Sequence, residues 1–143
     1  MMDTTQVFVY GTLKPGEINY HICERFVVAV EPAIALGQLY SLPFGYPAMT
    51  ITSQEKVHGH LLTFHSTQIL EILDAFEQHD PIEFVRYAPT QQLELNQYQR
   101  QKIQTFSAIN EPLAPAWAYL MSNQQVNRLG GTLIRAGCWN SDR

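Results

Sequence analysis

Basic clusters, long apolar runs and cysteines are all scarce in this chain, and each scarcity excludes something. Nine Lys and Arg stand against 13 Asp and Glu, for a formal net charge of −4. The basic residues are scattered, so the basic face that phosphate binding requires is missing, and no nucleic-acid partner is expected. No apolar run approaches the roughly 20 residues of a membrane-spanning helix, and no membrane is expected as a partner. The polar start MMDTTQ lacks the charged and apolar regions of a signal peptide, which predicts a cytoplasmic location. Only two cysteines occur, Cys23 and Cys138. Without an export signal, free buried thiols are the better reading than a disulfide. His21 lies too near Cys23 along the chain to judge a thiol nucleophile, so core packing is the better account of that residue.

Hydrophobic residues make up 45% of the chain and charged ones 15%, which excludes disorder. At 143 residues the length predicts a single domain, residues 1–143, with room for a real core. The stretch VFVYGTLKPG, Val7 to Gly16, organises the rest. Val7-Phe8-Val9-Tyr10 reads as a short buried strand. It breaks on Gly11 and runs through Thr12-Leu13-Lys14 to the turn dipeptide Pro15-Gly16. A glycine just past a buried strand implies a sharp bend or a close approach. Such a loop can aim several N–H groups at one point and hold an anion, although a plain turn is the simpler reading of an isolated Tyr10-Gly11-Thr12.

Further along, Glu17 to Val30 reads as a short helix passing into an extended segment. Ala33 to Leu42 reads as a strand with a bulge or bend at Gly37, and PFGYP, Pro43 to Pro47, as a turn or loop. Val57 to Phe64 reads as a strand with His58 and His60 on one face. A third ligand at suitable spacing is missing, so a satisfied structural pair, and no metal site, is expected. Ser66 to Gln78 is the clearest helix, capped by Ser66 or Thr67, with Ile69, Leu70, Ile72, Leu73 and Phe76 at helical spacing. Phe84 to Tyr87 and Gln92 to Leu95 read as strand pieces. Asn96 to Ser107 is polar and open between a long hairpin and a mobile excursion. Ala116 to Met121 reads as a final apolar strand. Short strands, few helices and internal glycines predict an α+β domain whose sheet is curled or barrel-like.

One acid falls on the wrong side of the helix. With Ile69 at zero on a wheel of roughly 100° per residue, Glu71, Asp74 and Gln78 face solvent, but Glu77 falls at about 80°, between Leu73 and Leu70. Three accounts stay open. Glu77 reaches water at the helix end, pairs with Arg86 or Lys14, or lines a pocket where burial raises its pKa toward the range of a general base.

The segments VFVYGTLKPGEIN, LGQLYSLPFGYPA, VHGHLLTF, LDAFE, AWAYL and GCW occur in that order from Val7 to Trp139. Together they resemble the γ-glutamylcyclotransferase-like family. The resemblance implies a compact mixed fold with a small barrel and one cavity. It implies an enzyme without cofactor that turns a small γ-glutamyl amide or peptide into 5-oxoproline plus a free amine or amino acid. Glu77, at the motif position of LDAFE, is then the catalytic acid/base. Tyr10, Gly11, Thr12 and Leu13 grip the γ-glutamyl moiety, chiefly through backbone N–H groups. Tyr119 either faces that cavity or is simply core. Gln78 and Phe84 stand where relatives commonly carry Gly and Tyr. These departures support an alternative, a non-catalytic module that binds a small carboxylate-bearing metabolite.

Overall fold

The protein is seen in a computed structural model that describes residues 4–43, 45–51, 54–76 and 98–139. At its centre lies β1 (Thr5–Val9). Around it run β2 (Val27–Leu36), β5 (Lys56–Phe64), β6 (Gln99–Ile103) and β7 (Ala116–Leu120), in the sheet order β2–β5–β1–β7–β6. All neighbours are antiparallel except β1 and β7, which run parallel with Val7 opposite Trp117, so the sheet is mixed. A second sheet has the order β4–β3–β8, from β3 (Gln38–Ser41), β4 (Pro47–Thr50) and β8 (Thr132–Leu133). The fold is α+β with a mixed central sheet, as expected; among the described residues the strands form two sheets that do not close into a barrel.

The continuous apolar run of β1 has a simple cause: both of its faces are covered. Val7 and Val9 pack with Leu62, Phe64, Ile69, Leu70 and Leu73 on the side of α1 (Gln68–Phe76). Phe8 and Tyr10 face the other way and pack with Leu39, Met49, Leu61 and Ala118, between the two sheets. Phe8, Leu61, Leu62 and Phe64 are each no more than 1% exposed, worth about 1.5–3 kcal/mol apiece. Gly37 is where the chain leaves the first sheet for the second. A Cβ there would lie 2.1 Å from the Thr50 carbonyl oxygen, so only glycine fits the crossing.

The start of α1 follows its sequence signals: Ser66 Oγ accepts from the Gln68 N–H at 3.1 Å. Its described part ends at Phe76. Gln78, Phe84, Arg86 and the strand pieces Phe84 to Tyr87 and Gln92 to Leu95 lie outside the described residues. The buried arc of α1 is Ile69, Leu70 and Leu73, whereas Ile72 is 39% exposed. The core-facing stripe is therefore centred nearer Leu73 than equal spacing predicts.

The polar stretch after Asn96, open between a long hairpin and a mobile excursion, resolves to the hairpin: β6 pairs antiparallel, residue for residue, with β7 from Gln99↔Leu120 to Ile103↔Ala116. Two readings need correction. A further helix among the described residues, α2 (Asn123–Arg128), stands where none was expected, closed by a capping box in which Ser122 and Gln125 satisfy each other's backbone. Cys23 is buried as expected, but Cys138 is exposed, and neither is bridged.

Candidate active site

The stretch after β1 folds into two consecutive turns. The Lys14 N–H donates to the Gly11 carbonyl at 3.0 Å and the Glu17 N–H to the Lys14 carbonyl at 2.9 Å. Pro15 and Gly16 occupy the centre of the second turn, with Gly16 at φ 87°, the left-handed geometry a type II turn demands of its third residue. The Asn19 N–H donates to the Thr12 carbonyl at 2.9 Å and staples the turns together. The carbonyls of Gly11 and Thr12 are thus occupied, whereas the N–H groups of Gly11, Thr12 and Leu13 meet no backbone acceptor among the described residues. Consecutive amides left in this way form a concavity suited to an anion or an oxyanion.

Gly11 is a point of close approach. A Cβ there would lie 2.7 Å from Pro47 Cγ and 3.0 Å from Cδ, so the loop is seated on the first residue of β4. Lys14 Nζ donates to the Trp139 carbonyl and ties the loop to the end of the described chain. Leu13 is buried and packs in the cluster that holds Leu70, Leu73 and Tyr119. The loop and the α1 layer therefore share one apolar wall.

Tyr119 joins the same two elements by hydrogen bonds. Its carbonyl accepts from the Tyr10 hydroxyl at 2.5 Å. Its own hydroxyl donates to Asp74 Oδ1 on α1 at 2.7 Å. That oxygen lies 3.5 Å from Arg100 Nε on β6. Arg100 in turn stacks over Trp117, its guanidinium carbon 4.8 Å from the ring centre. Tyr119 is 5% exposed; it is core through its ring, and its hydroxyl is committed to α1.

Tyr10, Gly11, Thr12, Leu13 and Tyr119 are thus gathered at one end of the central sheet, where the parallel strands β1 and β7 finish. Glu77 lies outside the described residues. Sequence reasoning missed Asp74, which a solvent-facing wheel position concealed, and Pro47, whose contact with Gly11 joins distant parts of the chain. Among the described residues no group of three His, Cys, Asp or Glu is placed to hold a metal. The two histidines of β5 are not the satisfied pair expected. His58 is exposed, and the buried Nδ1 of half-buried His60 has no hydrogen-bond partner among the described residues. Burial, helped by the nearby Lys14 charge, holds the His60 pKa below its ordinary value. Burial pushes the Cys23 thiol up to about 11, which disfavours the thiolate at neutral pH and speaks for core packing.

Residues 7–141 match the sequence profile of a family described as gamma-glutamyl cyclotransferase, AIG2-like. The chain belongs to this family. A relative in Citrobacter rodentium, a gamma-glutamylcyclotransferase family protein, ytfP, is 28% identical over 134 residues, 94% of each chain. Among solved structures, an AIG2-like protein of Mus musculus superposes with a TM-score of 0.66 at 17% identity, covering 98% of this chain and 90% of the mouse one. YkqA of Bacillus subtilis gives the same TM-score at 20% identity; 96% of this chain is matched there, but only 40% of YkqA. At these identities the structural likeness speaks to the fold alone. The family match is what makes the chain a γ-glutamylcyclotransferase-like enzyme, and it does not favour the non-catalytic binding module. No described helix is long and apolar enough to cross a membrane.

Proposed function

We propose that the chain is a cytoplasmic cyclotransferase that converts a small γ-glutamyl amide or peptide to 5-oxoproline and a free amine or amino acid, with Glu77 as general base and then acid. The observation that carries the proposal is the run of amides at Gly11, Thr12 and Leu13 that meet no backbone acceptor among the described residues, in a loop that packs through Leu13 against α1. The buried arc of that helix, Ile69, Leu70 and Leu73, spans wheel angles of about 0° to 100°, and the wheel angle of Glu77, about 80°, falls inside it.

The chemistry follows from these groups. Glu77 takes a proton from the α-ammonium of the γ-glutamyl group, and the freed nitrogen attacks the γ-carbonyl carbon of the same molecule. A C–N bond forms and closes a five-membered ring, while negative charge gathers on the carbonyl oxygen. The carbonyl re-forms and the bond to the departing amine breaks as Glu77 returns that proton to it. The ring nitrogen gives up its second proton, which ends on the freed amine as an ammonium. Nucleophile and electrophile belong to one molecule, so folding the substrate into a ring-closing shape lowers much of the barrier. The loop amides hold the substrate's α-carboxylate or the developing oxyanion. Protons balance within the active site and no electrons are transferred, so the reaction itself calls for no redox or group-transfer cofactor.

The test is a panel of γ-glutamyl amines and γ-glutamyl dipeptides assayed for 5-oxoproline, run on the parent and on Glu77→Gln. The parent should release 5-oxoproline from at least one class and the variant from none. Release by Glu77→Gln at the parent rate overturns the mechanism.

A further inference from the structure

Asp74 has no part in the chemistry just described, yet it is the α1 residue that the neighbouring strands hold. Tyr119 of β7 gives it a hydrogen bond at 2.7 Å and Arg100 of β6 an ion pair at 3.5 Å. Arg100 and Tyr119 are themselves direct cross-strand partners, so both contacts reach Asp74 from one rung of the sheet. The ion pair is partly solvated, with side-chain exposures of 30% for Arg100 and 44% for Asp74, and such pairs add little on their own. The phenol–carboxylate bond is the stronger, being short and charge-assisted.

What makes this pair more than a local staple is the other end of Tyr119. Its carbonyl receives the Tyr10 hydroxyl, and Tyr10 is the residue before the amide-bearing loop. One residue therefore binds the last described turn of α1 through its side chain and the residue that leads into the loop through its backbone. Asp74 lies two residues from the end of the described part of α1, and Glu77 follows three positions on in the sequence. Sliding or rotating α1 by a fraction of an ångström would change the span between the helix end and the loop, and misplacement on that scale is costly in catalysis.

We infer that Asp74 and the Tyr119 hydroxyl are positioning residues that set the span between the end of α1 and the Gly11–Leu13 amides. The inference rests on the cyclotransferase reading and adds to it that the Tyr119 hydroxyl serves the helix and not the substrate. Tyr119→Phe and Asp74→Ala should each lower kcat about tenfold or more, the range of a charge-assisted hydrogen bond, with KM changed much less. The double variant should fall no further than the worse single one, because both remove the same bond. Asp74→Asn, which keeps an acceptor, should recover part of the loss.

A pair that matters only for stability would lower Tm and leave kcat per folded molecule at the parent value. That result in Tyr119→Phe overturns the inference. So does additive loss in the double variant, or a rise in KM at unchanged kcat, which would mean that the hydroxyl grips substrate. Should Asp74→Ala fail to fold, Tyr119→Phe carries the test, since it removes a single oxygen. Glu77→Gln run alongside separates the two levels. An inactive Glu77→Gln with an unimpaired Tyr119→Phe overturns the positioning role alone, whereas an active Glu77→Gln overturns the reading beneath it.

Discussion

The Tyr10 hydroxyl donates to the Tyr119 carbonyl at 2.5 Å, joining the ends of the two parallel strands of the central sheet. Tyr10 is 7% exposed and Tyr119 5%, so water has little access to the groups involved. Tyr10→Phe leaves the ring packing intact and removes only the donor. Denaturant unfolding should show a loss of about 1–3 kcal/mol, the range for a buried acceptor deprived of its partner. Turnover should fall as well, since the loop begins at the next residue.

Gly11→Ala tests the seat of the loop. The added methyl would meet the Pro47 ring, whose atoms at 2.7 and 3.0 Å are stiff and cannot swing aside as a long side chain would. The variant should lose about 1–3 kcal/mol of stability. Its KM for any accepted γ-glutamyl compound should rise, measured beside the unfolding midpoint. A variant at parent stability and parent KM would mean that the loop tolerates displacement.

Thiol chemistry separates the two cysteines. Cys23 is fully buried with its pKa raised to about 11, and Cys138 is exposed. A chromogenic disulfide reagent at neutral pH should modify one thiol in the native protein and both in denaturant. Cys23→Ala should keep its activity, at a stability cost set by the small cavity it leaves. Loss of activity in a folded Cys23→Ala would revive the nucleophile.

His60 should leave a signature in acid. Its folded-state pKa lies below the ordinary value of 6.5 because burial, and then the Lys14 charge, disfavour the imidazolium. The unfolded chain therefore binds a proton more readily, and folding stability is lost as pH falls from above 6.5 through the folded-state value. His60→Leu should flatten that part of the profile. At pH 8 it should cost little or even stabilise, because it removes a buried nitrogen that has no partner among the described residues. Urea midpoints across this range give the answer; an unchanged acid slope in His60→Leu would assign the loss to other groups.

What could be read in advance was local. The buried run Val7 to Tyr10, the Pro15-Gly16 turn, the bend at Gly37 and the helical spacing of Ile69, Leu70 and Leu73 all express short-range rules, and the structure places each of them as such. What escaped depends on partners far along the chain. Gln99-Arg100-Gln101-Lys102-Ile103 stays open between a hairpin and a mobile excursion until β7 offers it a ladder. Asp74 looks solvent-facing on a wheel until β6 and β7 bring it Arg100 and Tyr119. Pro47 reads as part of a turn, yet it starts β4 and supports Gly11. The one readable signal passed over was Ser122 with Gln125 three residues on, a capping box that announces α2.

The bond between Tyr10 and Tyr119 spans 109 positions of sequence, so it closes a very large ring of chain. Contacts of that separation form late, after local turns and hairpins have shortened the search. In a refolding experiment, recovery of secondary structure should therefore run ahead of recovery of enzymatic competence. The lag between the two would clock the arrival of β7 beside β1.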